Sequence, residues 1–253
     1  MNFKSFTFTV LMGVALSANA ANITSNNKNK VVVDGNAKEW TNPLPYFDKT
    51  TTIRFDVSND AKKLNFIIRV DDLELQRGIM QNGMEIWINK DGKKNQNTGI
   101  IYPCPTAPKY SETGEEIKNE VFLIDSLNLK GFFLENGKQP IRNCEVRVAI
   151  AKGENNSLIY EVSIPFTAFW KEQLEKVDTK KKFNIGFILK AKELPGMRNA
   201  GRGMGMGMGM MMGGMGGDMG GMRMPSARAM RDFLPAEFQD KAYWFKLQLS
   251  NEF

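Results

Sequence analysis

The chain has 253 residues, of which 42% are hydrophobic and 25% charged, and these are ordinary values for a globular protein with a real core. Its net charge of +6 is scattered along the chain and matched locally by acidic residues, so it does not indicate nucleic-acid binding. The chain has no histidine, which excludes Ser-His-Asp and Cys-His catalysis, histidine-ligated zinc or copper, and the CxxCH haem attachment motif.

The first 20 residues have the three parts of a secretory signal peptide. Lys4 supplies the positive charge, an apolar run follows over residues 6–16, and Ala-Asn-Ala at 18–20 is a small-residue cleavage site. The apolar run is too short to span a bilayer, and no later stretch reaches the roughly 20 apolar residues of a transmembrane helix. The sequence therefore predicts export to the periplasm or the extracellular space, with cleavage after Ala20.

After the signal peptide, short runs of alternating apolar and polar residues are separated by turn signals. The runs LNFIIRV, MEIWIN, CEVRVAIA, LIYEVSI and AYWFKLQL have the period of two that half-buried strands show. Turn signals between the runs include Asp34-Gly35, Asp91-Gly92 and Asn136-Gly137. This pattern predicts an all-β fold, a single antiparallel β-sandwich domain over residues 21–253. Helices are expected only in FTAFWKEQLEKV and SARAMRDFLPAEF.

Two segments break the alternation and are predicted to be insertions between strands. Residues 92–120 are polar and rich in Pro, Lys and Glu, which is typical of a long surface excursion. Residues 195–230 contain a low-complexity tract of methionine and glycine. Alternation resumes after each segment, so neither indicates a domain boundary.

The chain has two cysteines, Cys104 and Cys144. In an oxidising compartment we expect them to form a disulfide, which would stabilise the fold by roughly 3 to 4 kcal/mol in the chain-entropy model. The alternative is two separate free thiols.

The methionine-glycine tract, GMGMGMGMMMGGMGGDMGGMRM, is open to three interpretations. Thioether sulfur is a soft ligand that selects Cu(I), which makes a candidate copper site of Met206, Met208, Met210, Met212 and Met215. The alternating glycines oppose this site, because ordering the backbone costs about 1 to 2 kcal/mol per residue. A disordered loop is therefore favoured, with an adaptable protein or lipid contact as the third interpretation.

The motif VVVDGNAKEW resembles the opening of family 9 carbohydrate-binding modules and their DOMON-like relatives. Four later stretches are similar to motifs of that family in the same order, namely TTIRFDVSNDAKKLNFIIRVDD, NGMEIWINKDG, SLIYEVSIPFTAF, and FNIGFIL with a closing strand that carries Trp244. The likeness covers most of residues 31–249 outside the two insertions. It implies an antiparallel β-sandwich that binds sugars, or in some branches haem, on one concave side. The two sugar-gripping tryptophans of the family are not matched, since RGIMQNGMEIW has no aromatic residue before its strand and the methionine-glycine tract replaces the second loop.

The candidate ligand site is centred on Trp87, which alternation places beside Glu85 on the face opposite Met84, Ile86 and Ile88. Sugars pack their C–H groups on aromatic rings, while their hydroxyls bind carboxylate and guanidinium groups. The polar faces of the other strands are expected to bring further residues to the same open surface, namely Arg69, Arg147 and Trp244. The alternative places Trp87 at an edge or beneath a loop, and Trp40 is expected in the core.

These observations together predict an exported, non-catalytic module that binds carbohydrate or another cell-envelope ligand on one sheet face. No spacing singles out a carboxylate pair for glycoside hydrolysis, although a hydrolase is not excluded. No cofactor is required, and a calcium site at Asp71, Asp72 and Glu74 is the alternative to a solvated turn. The functional alternatives are periplasmic Cu(I) handling through the methionine tract and a haem-binding DOMON-like electron-transfer domain, with Met84 or a lysine as axial ligand.

Overall fold

A computed structural model describes residues 22–25, 31–104, 109–110, 116–117, 124–190 and 239–250. The strands, in chain order, are β1 (Asn22–Thr24), β2 (Tyr46–Asp48), β3 (Ile53–Asn59), β4 (Lys63–Val70), β5 (Met84–Asn89), β6 (Thr98–Tyr102), β7 (Lys109–Tyr110), β8 (Glu116–Ile117), β9 (Ser126–Lys130), β10 (Gly137–Pro140), β11 (Arg147–Lys152), β12 (Leu158–Pro165), β13 (Lys182–Leu189) and β14 (Lys241–Gln248). The described helices are α1 (Leu73–Asn82) and α2 (Phe166–Phe169), with short 3-10 turns at Ala37–Glu39, Ile141–Asn143, Glu154–Asn156 and Asp178–Lys180.

Two sheets pack face to face, which confirms the predicted mostly-β, two-sheet architecture. The seven-stranded sheet has the order β1-β14-β13-β5-β6-β9-β10, and the five-stranded sheet has the order β11-β12-β4-β3-β2. The described strand pairs are antiparallel, apart from β1 with β14, which is parallel. Within the described ranges, no helix is long and apolar enough to cross a membrane.

The core lies between the sheets and is rich in aromatic rings. Phe55 and Phe66 of the five-stranded sheet meet Phe187 of the seven-stranded sheet edge-on, with ring centroids 5.2 and 6.0 Å from that of Phe187. Phe245 of β14 packs against the same group, 5.1 Å from Phe55. Burying each side chain of this size contributes about 1.5 to 3 kcal/mol, so this cluster is the main force that holds the two sheets together.

A second, smaller apolar cluster covers the outer face of the five-stranded sheet, that is, the face turned away from the other sheet. Trp40 and Leu44 pack there on Ile67 of β4 and Ile159 of β12. Trp40 is buried, as predicted, although it lies in this outer cluster instead of between the sheets. The segment that contains Asp34, Gly35 and Trp40, which we call the DG-W motif, therefore covers part of this outer face.

Hydrogen bonds tie both ends of the described chain to β3. The side chain of Asn59 accepts a hydrogen bond from the Ser25 hydroxyl and another, 2.8 Å long, from the backbone N–H of Ser250. The Ser250 N–H also lies 2.8 Å from Ser25 Oγ. This cluster joins the two sheets at the end of the sandwich where β3, β5, β12 and β14 finish.

Helix α1 was not predicted, and its boundaries follow from local chemistry. Asp72 is the N-cap, because its Oδ1 accepts a hydrogen bond of 2.9 Å from the Leu75 N–H, and Gly83 ends the helix with a φ of 76°. In FTAFWKEQLEKV, only the four residues of α2 are α-helical. The segment SARAMRDFLPAEF lies outside the described residues.

The predicted polar insertion at 92–120 starts too early. Residues 98–102 form β6, an interior strand that pairs with β5 on one side and β9 on the other. The sequence analysis missed this short strand because turn residues precede Thr98 and proline follows Tyr102.

The predicted disulfide between Cys104 and Cys144 is wrong, because both cysteines are free in the structure. Cys104 follows β6, where its backbone N–H binds Ser126 O, whereas the buried Cys144 thiol donates a hydrogen bond of 2.9 Å to Glu135 Oε2. Burial, together with this hydrogen bond, raises the pKa of Cys144 to about 12. The two thiols therefore have different partners, and the one at position 144 is held in its protonated form.

Candidate functional site

The outer face of the seven-stranded sheet carries a row of five residues in register across five strands. Trp244 of β14 pairs with Gly186 of β13, and Gly186 pairs with Trp87 of β5. Trp87 pairs in turn with Gly99 of β6, and Gly99 with Lys130 of β9. The two tryptophans that the sequence singled out thus lie on one sheet face, as predicted for Trp87 and Trp244.

Each tryptophan of this row lies over a glycine. A Cβ at Gly99 would be 2.4 Å from Cε3 of Trp87, and a Cβ at Gly186 would be 2.7 Å from three ring carbons of Trp244. Only glycine leaves room for a ring to lie flat on the neighbouring strand. The isolated glycines in NTGIIY and FNIGFIL were the available signal for this packing, and the sequence analysis did not use it.

Trp87 is covered. Its side chain is 2% exposed, with Gly99 beneath the ring and Lys130 Nζ 5.4 Å from the ring centroid. The indole Nε1 donates a hydrogen bond of 2.7 Å to Glu85 Oε2. Trp87 therefore has the alternative role considered from the sequence, that of a packed ring, and offers no free face for a sugar.

Both carboxylate oxygens of Glu85 also have partners. Glu85 is 5% exposed, and its second oxygen, Oε1, lies 2.9 Å from Lys190 Nζ. The same ammonium group lies 3.1 Å from Asp240 Oδ2. Burial lowers the pKa of Lys190, but the hydrogen bonds to Glu85 and Asp240 and their charges outweigh burial, so the net pKa is raised. Lys190 is thus a stable cation that links β13 to β5 and to the start of β14.

Arg69 and Arg147 do not join this face, which corrects the predicted cluster. Their neighbours in β4 and β11 point into the core between the sheets, so both arginines lie on the outer face of the five-stranded sheet. Arg69 pairs there with Asp71, at 2.8 Å. Alternation shows which residues share a face of one strand, but it does not show which sheet that strand joins.

The partly exposed part of the tryptophan row lies along β14. Trp244 is partly exposed, and Ala242, Lys246 and Gln248 on the same outer face are exposed. Beside them on β13, Asn184 is 3% exposed, and its Oδ1 has no hydrogen-bond partner among the described residues, while its Nδ2 donates to Gly92 O. We call these residues the Trp244 strip, namely Ala242, Trp244, Lys246 and Gln248 of β14 with Asn184 of β13.

A buried carboxylate that the sequence analysis did not single out lies on the other sheet. Glu161 of β12 accepts hydrogen bonds from the backbone N–H groups of Asp34 and Gly35, at 3.1 and 2.8 Å, and from Trp40 Nε1, at 2.8 Å. Burial raises the pKa of Glu161, although these hydrogen bonds act in the opposite direction. Both carboxylate oxygens are used to hold the DG-W motif on the sheet, so this group has a structural role.

The described part of the chain includes the candidate calcium ligands and Met84, a candidate haem ligand. No group of three or more Cys, Asp or Glu side chains in the described part of the chain could hold a metal ion. Asp71, Asp72 and Glu74 bind three different partners, namely Arg69, the Leu75 N–H and Arg77. Met84 is fully buried between the sheets. Met206, Met208, Met210, Met212 and Met215 lie outside the described residues, as does the predicted signal peptide, so the copper interpretation stays a prediction.

A comparison with known protein families, with curated proteins and with solved structures finds no match. The Trp244 strip and the fold around it are therefore the basis for a functional conclusion.

Proposed function

We propose that the protein is an exported, non-catalytic binding module similar to family 9 carbohydrate-binding modules, and that it binds carbohydrate at the Trp244 strip. The observation that carries this proposal is the Trp244 ring, which lies flat on Gly186 and is partly exposed on an outer sheet face. A flat aromatic ring fixed on a sheet is the surface on which the C–H face of a sugar packs.

The polar groups of the strip suit the rest of a sugar ring. Lys246 is an exposed donor for hydroxyls, and the exposed amide of Gln248 supplies both a donor and an acceptor. The strip thus has the combination of one apolar platform and a few oriented polar groups that small-ligand sites use.

The family likeness has support of its own from the five-stranded sheet. Two of the motifs that carry it, VVVDGNAKEW and SLIYEVSIPFTAF, contact each other in the structure. Glu161 of the second motif accepts hydrogen bonds from Asp34, Gly35 and Trp40 of the first. Sequence motifs that are far apart in the chain and bind each other are expected when both belong to one fold signature. The export assignment rests on the signal-peptide pattern.

The test is glycan binding by the mature chain, on an array first and then by calorimetry with the best ligand. We expect Trp244→Ala to weaken binding by about 5- to 150-fold, because stacking of this kind contributes about 1 to 3 kcal/mol. Arg69→Ala and Arg147→Ala are the matched controls, since they lie on the opposite sheet, and both should bind as the wild type does.

Two results would contradict the proposal. If the chain binds no glycan on a broad array, the carbohydrate assignment is wrong. If Arg147→Ala abolishes binding while Trp244→Ala does not, the ligand lies on the five-stranded sheet. A thermal-shift screen with Cu(I) and haem tests the two alternatives, because a ligand that binds only the folded chain raises its melting temperature.

A further inference from the structure

One end of the sandwich collects four turns. Asn59 and Leu64 pair beside the β3-β4 turn, Asn89 and Asn184 pair beside the β5-β6 turn, and Gly99 pairs with Lys130 beside the β9-β10 turn. The connection from β12 to β13 completes the group, because the Phe166 N–H donates to Lys62 O and the Phe133 N–H donates to Ala168 O. We call this surface the lysine end and define it as residues 60–63, 90–97, 130–136 and 166–182.

The lysine end is strongly basic. Its four segments contain eleven lysines and six acidic residues, a net charge of +5. Ten of the eleven lysines are exposed, and Lys171 is partly buried. Three of the six acidic groups bind neighbours within the lysine end or beside it. Asp60 accepts hydrogen bonds from the backbone N–H groups of Lys62 and Lys63, and Glu135 accepts one from the Cys144 thiol. Asp178 is 2% exposed and pairs with Lys171. These contacts do not remove the negative charges, so the net charge of the lysine end is +5.

Apolar side chains project from the same end. Phe133 and Leu134 in the β9-β10 turn are 60% and 81% exposed, and Val177 in the β12-β13 connection is 58% exposed. Phe133 and Leu134 are adjacent in the chain, and large hydrophobic side chains exposed together commonly mark an interaction site.

The β9-β10 turn holds these side chains outward by its own bonding. Phe132 is buried against Phe169, with ring centroids 6.3 Å apart. The side chain of Asn136 binds both backbone groups of Phe132, at 2.6 and 3.2 Å. The backbone of Phe133 is fixed by its hydrogen bond to Ala168 O. With Phe132 and the backbone anchored, Phe133 and Leu134 are left on the outside of an ordered turn.

We propose that the lysine end docks on an anionic lipid membrane, with Phe133 and Leu134 inserted at the boundary of headgroups and acyl chains. Basic residues near an anionic surface and apolar side chains that enter it act together in peripheral membrane binding. A soluble polyanion would use the lysines but leave the two apolar side chains in water, so the combination favours lipid. The lysine end adjoins the Trp244 strip, because Asn184 bonds Gly92 O and Gln248 pairs with Lys182, but the proposal does not rest on carbohydrate binding.

The opposite end of the sandwich supplies a comparison within the same molecule. Leu73 at the start of α1 is 57% exposed, like Phe133, but its neighbours Asp71, Asp72 and Glu74 are acidic. Leu73 has acidic neighbours, whereas Phe133 lies in the basic lysine end, so Leu73 is a control for an exposed apolar residue outside the lysine end. Lys49 and Lys152 are exposed lysines at the same opposite end and serve as the charge control.

The experiment is co-sedimentation of the mature chain with vesicles of phosphatidylcholine alone and of phosphatidylcholine with phosphatidylglycerol. We expect binding only to the anionic vesicles, and binding that weakens as salt is added, because salt screens exposed charges. The variant Lys93→Gln/Lys94→Gln should bind roughly 25-fold more weakly, since each lysine near the surface contributes about fivefold. Phe133→Ser/Leu134→Ser should lose at least about tenfold, whereas Leu73→Ser and Lys49→Gln/Lys152→Gln should bind as the wild type does.

Three outcomes would overturn the proposal. The first is a wild-type chain that does not sediment with anionic vesicles. The second is a Phe133→Ser/Leu134→Ser variant that binds vesicles and dextran sulfate as the wild type does, which would identify a site for soluble polyanions. The third is an equal loss in the control variants. If the double variant fails to fold, as judged by thermal unfolding, Leu134→Ser alone replaces it, because Leu134 is the more exposed of the two.

Discussion

At the scale of single residues, two glycines decide how the seven-stranded sheet presents its tryptophans. Gly99 and Gly186 lie under the rings of Trp87 and Trp244, and any side chain at either position would push the ring off the sheet. The row of paired residues then orients the indole groups without help from a loop. The candidate site therefore depends on residues that have no side chain of their own.

We predict that Gly99→Ala lowers the free energy of unfolding by about 1 to 3 kcal/mol, because the new methyl group overlaps the Trp87 ring and Ile86 O. Gly78→Ala is the matched control. No atom lies within 4 Å of a Cβ at Gly78, and alanine in the interior of α1 should raise stability by about 0.5 to 1 kcal/mol. Urea unfolding of the three proteins measures both changes, and a neutral Gly99→Ala would show that Trp87 does not lie on this strand.

At the scale of secondary structure, alternation located five of the described strands. The five alternating runs correspond to β4, β5, β11, β12 and β14, because a half-buried strand must place every second side chain in the core. Helix α1 was missed because its sequence, LELQRGIMQN, has only one buried residue, Ile79, with Leu75 and Met80 partly buried beside it. Strand β6 escaped because it is short and its neighbouring residues are polar.

The cap of α1 offers a test at this scale. Asp72→Ala should lower the free energy of unfolding by about 1 kcal/mol, because it removes the hydrogen bond to the Leu75 N–H at the helix start. Asp71→Ala is the control, since it breaks only the exposed pair with Arg69, which contributes about 0 to 1 kcal/mol. Chemical denaturation monitored by circular dichroism compares the two, and an equal effect would contradict the capping role.

At the scale of the whole molecule, the two sheets are joined by the aromatic core and by the cluster of Ser25, Asn59 and Ser250. Asn59 is fully buried in β3, yet its partners come from the two ends of the described chain. Closing the sandwich therefore depends on a polar group that is satisfied only when both ends are in place.

We predict that Asn59→Ala lowers the free energy of unfolding by about 1 to 3 kcal/mol, because it removes the buried acceptor that Ser25 and Ser250 share and leaves the Ser250 N–H with Ser25 Oγ as its other acceptor. Asn143→Ala, at an exposed position, should change stability little. Hydrogen exchange gives the decisive measurement, since the Ser250 amide should lose protection in Asn59→Ala and keep it in Asn143→Ala. Unchanged protection of that amide would mean that the ends are held by other contacts.

The sequence by itself determined five of the strands and the face of each of these strands that enters the core, because a period of two is a local property of an extended chain. It also determined the burial of Trp40 and the placement of Trp87 and Trp244 on polar faces. Only the tertiary structure decided which sheet each strand joins. It places Arg69 and Arg147 on the other sheet from Trp87, buries Trp87 and Glu85, and leaves Cys104 and Cys144 unpaired. Strand order depends on pairing between residues distant in the chain, and a local pattern carries no information about such partners.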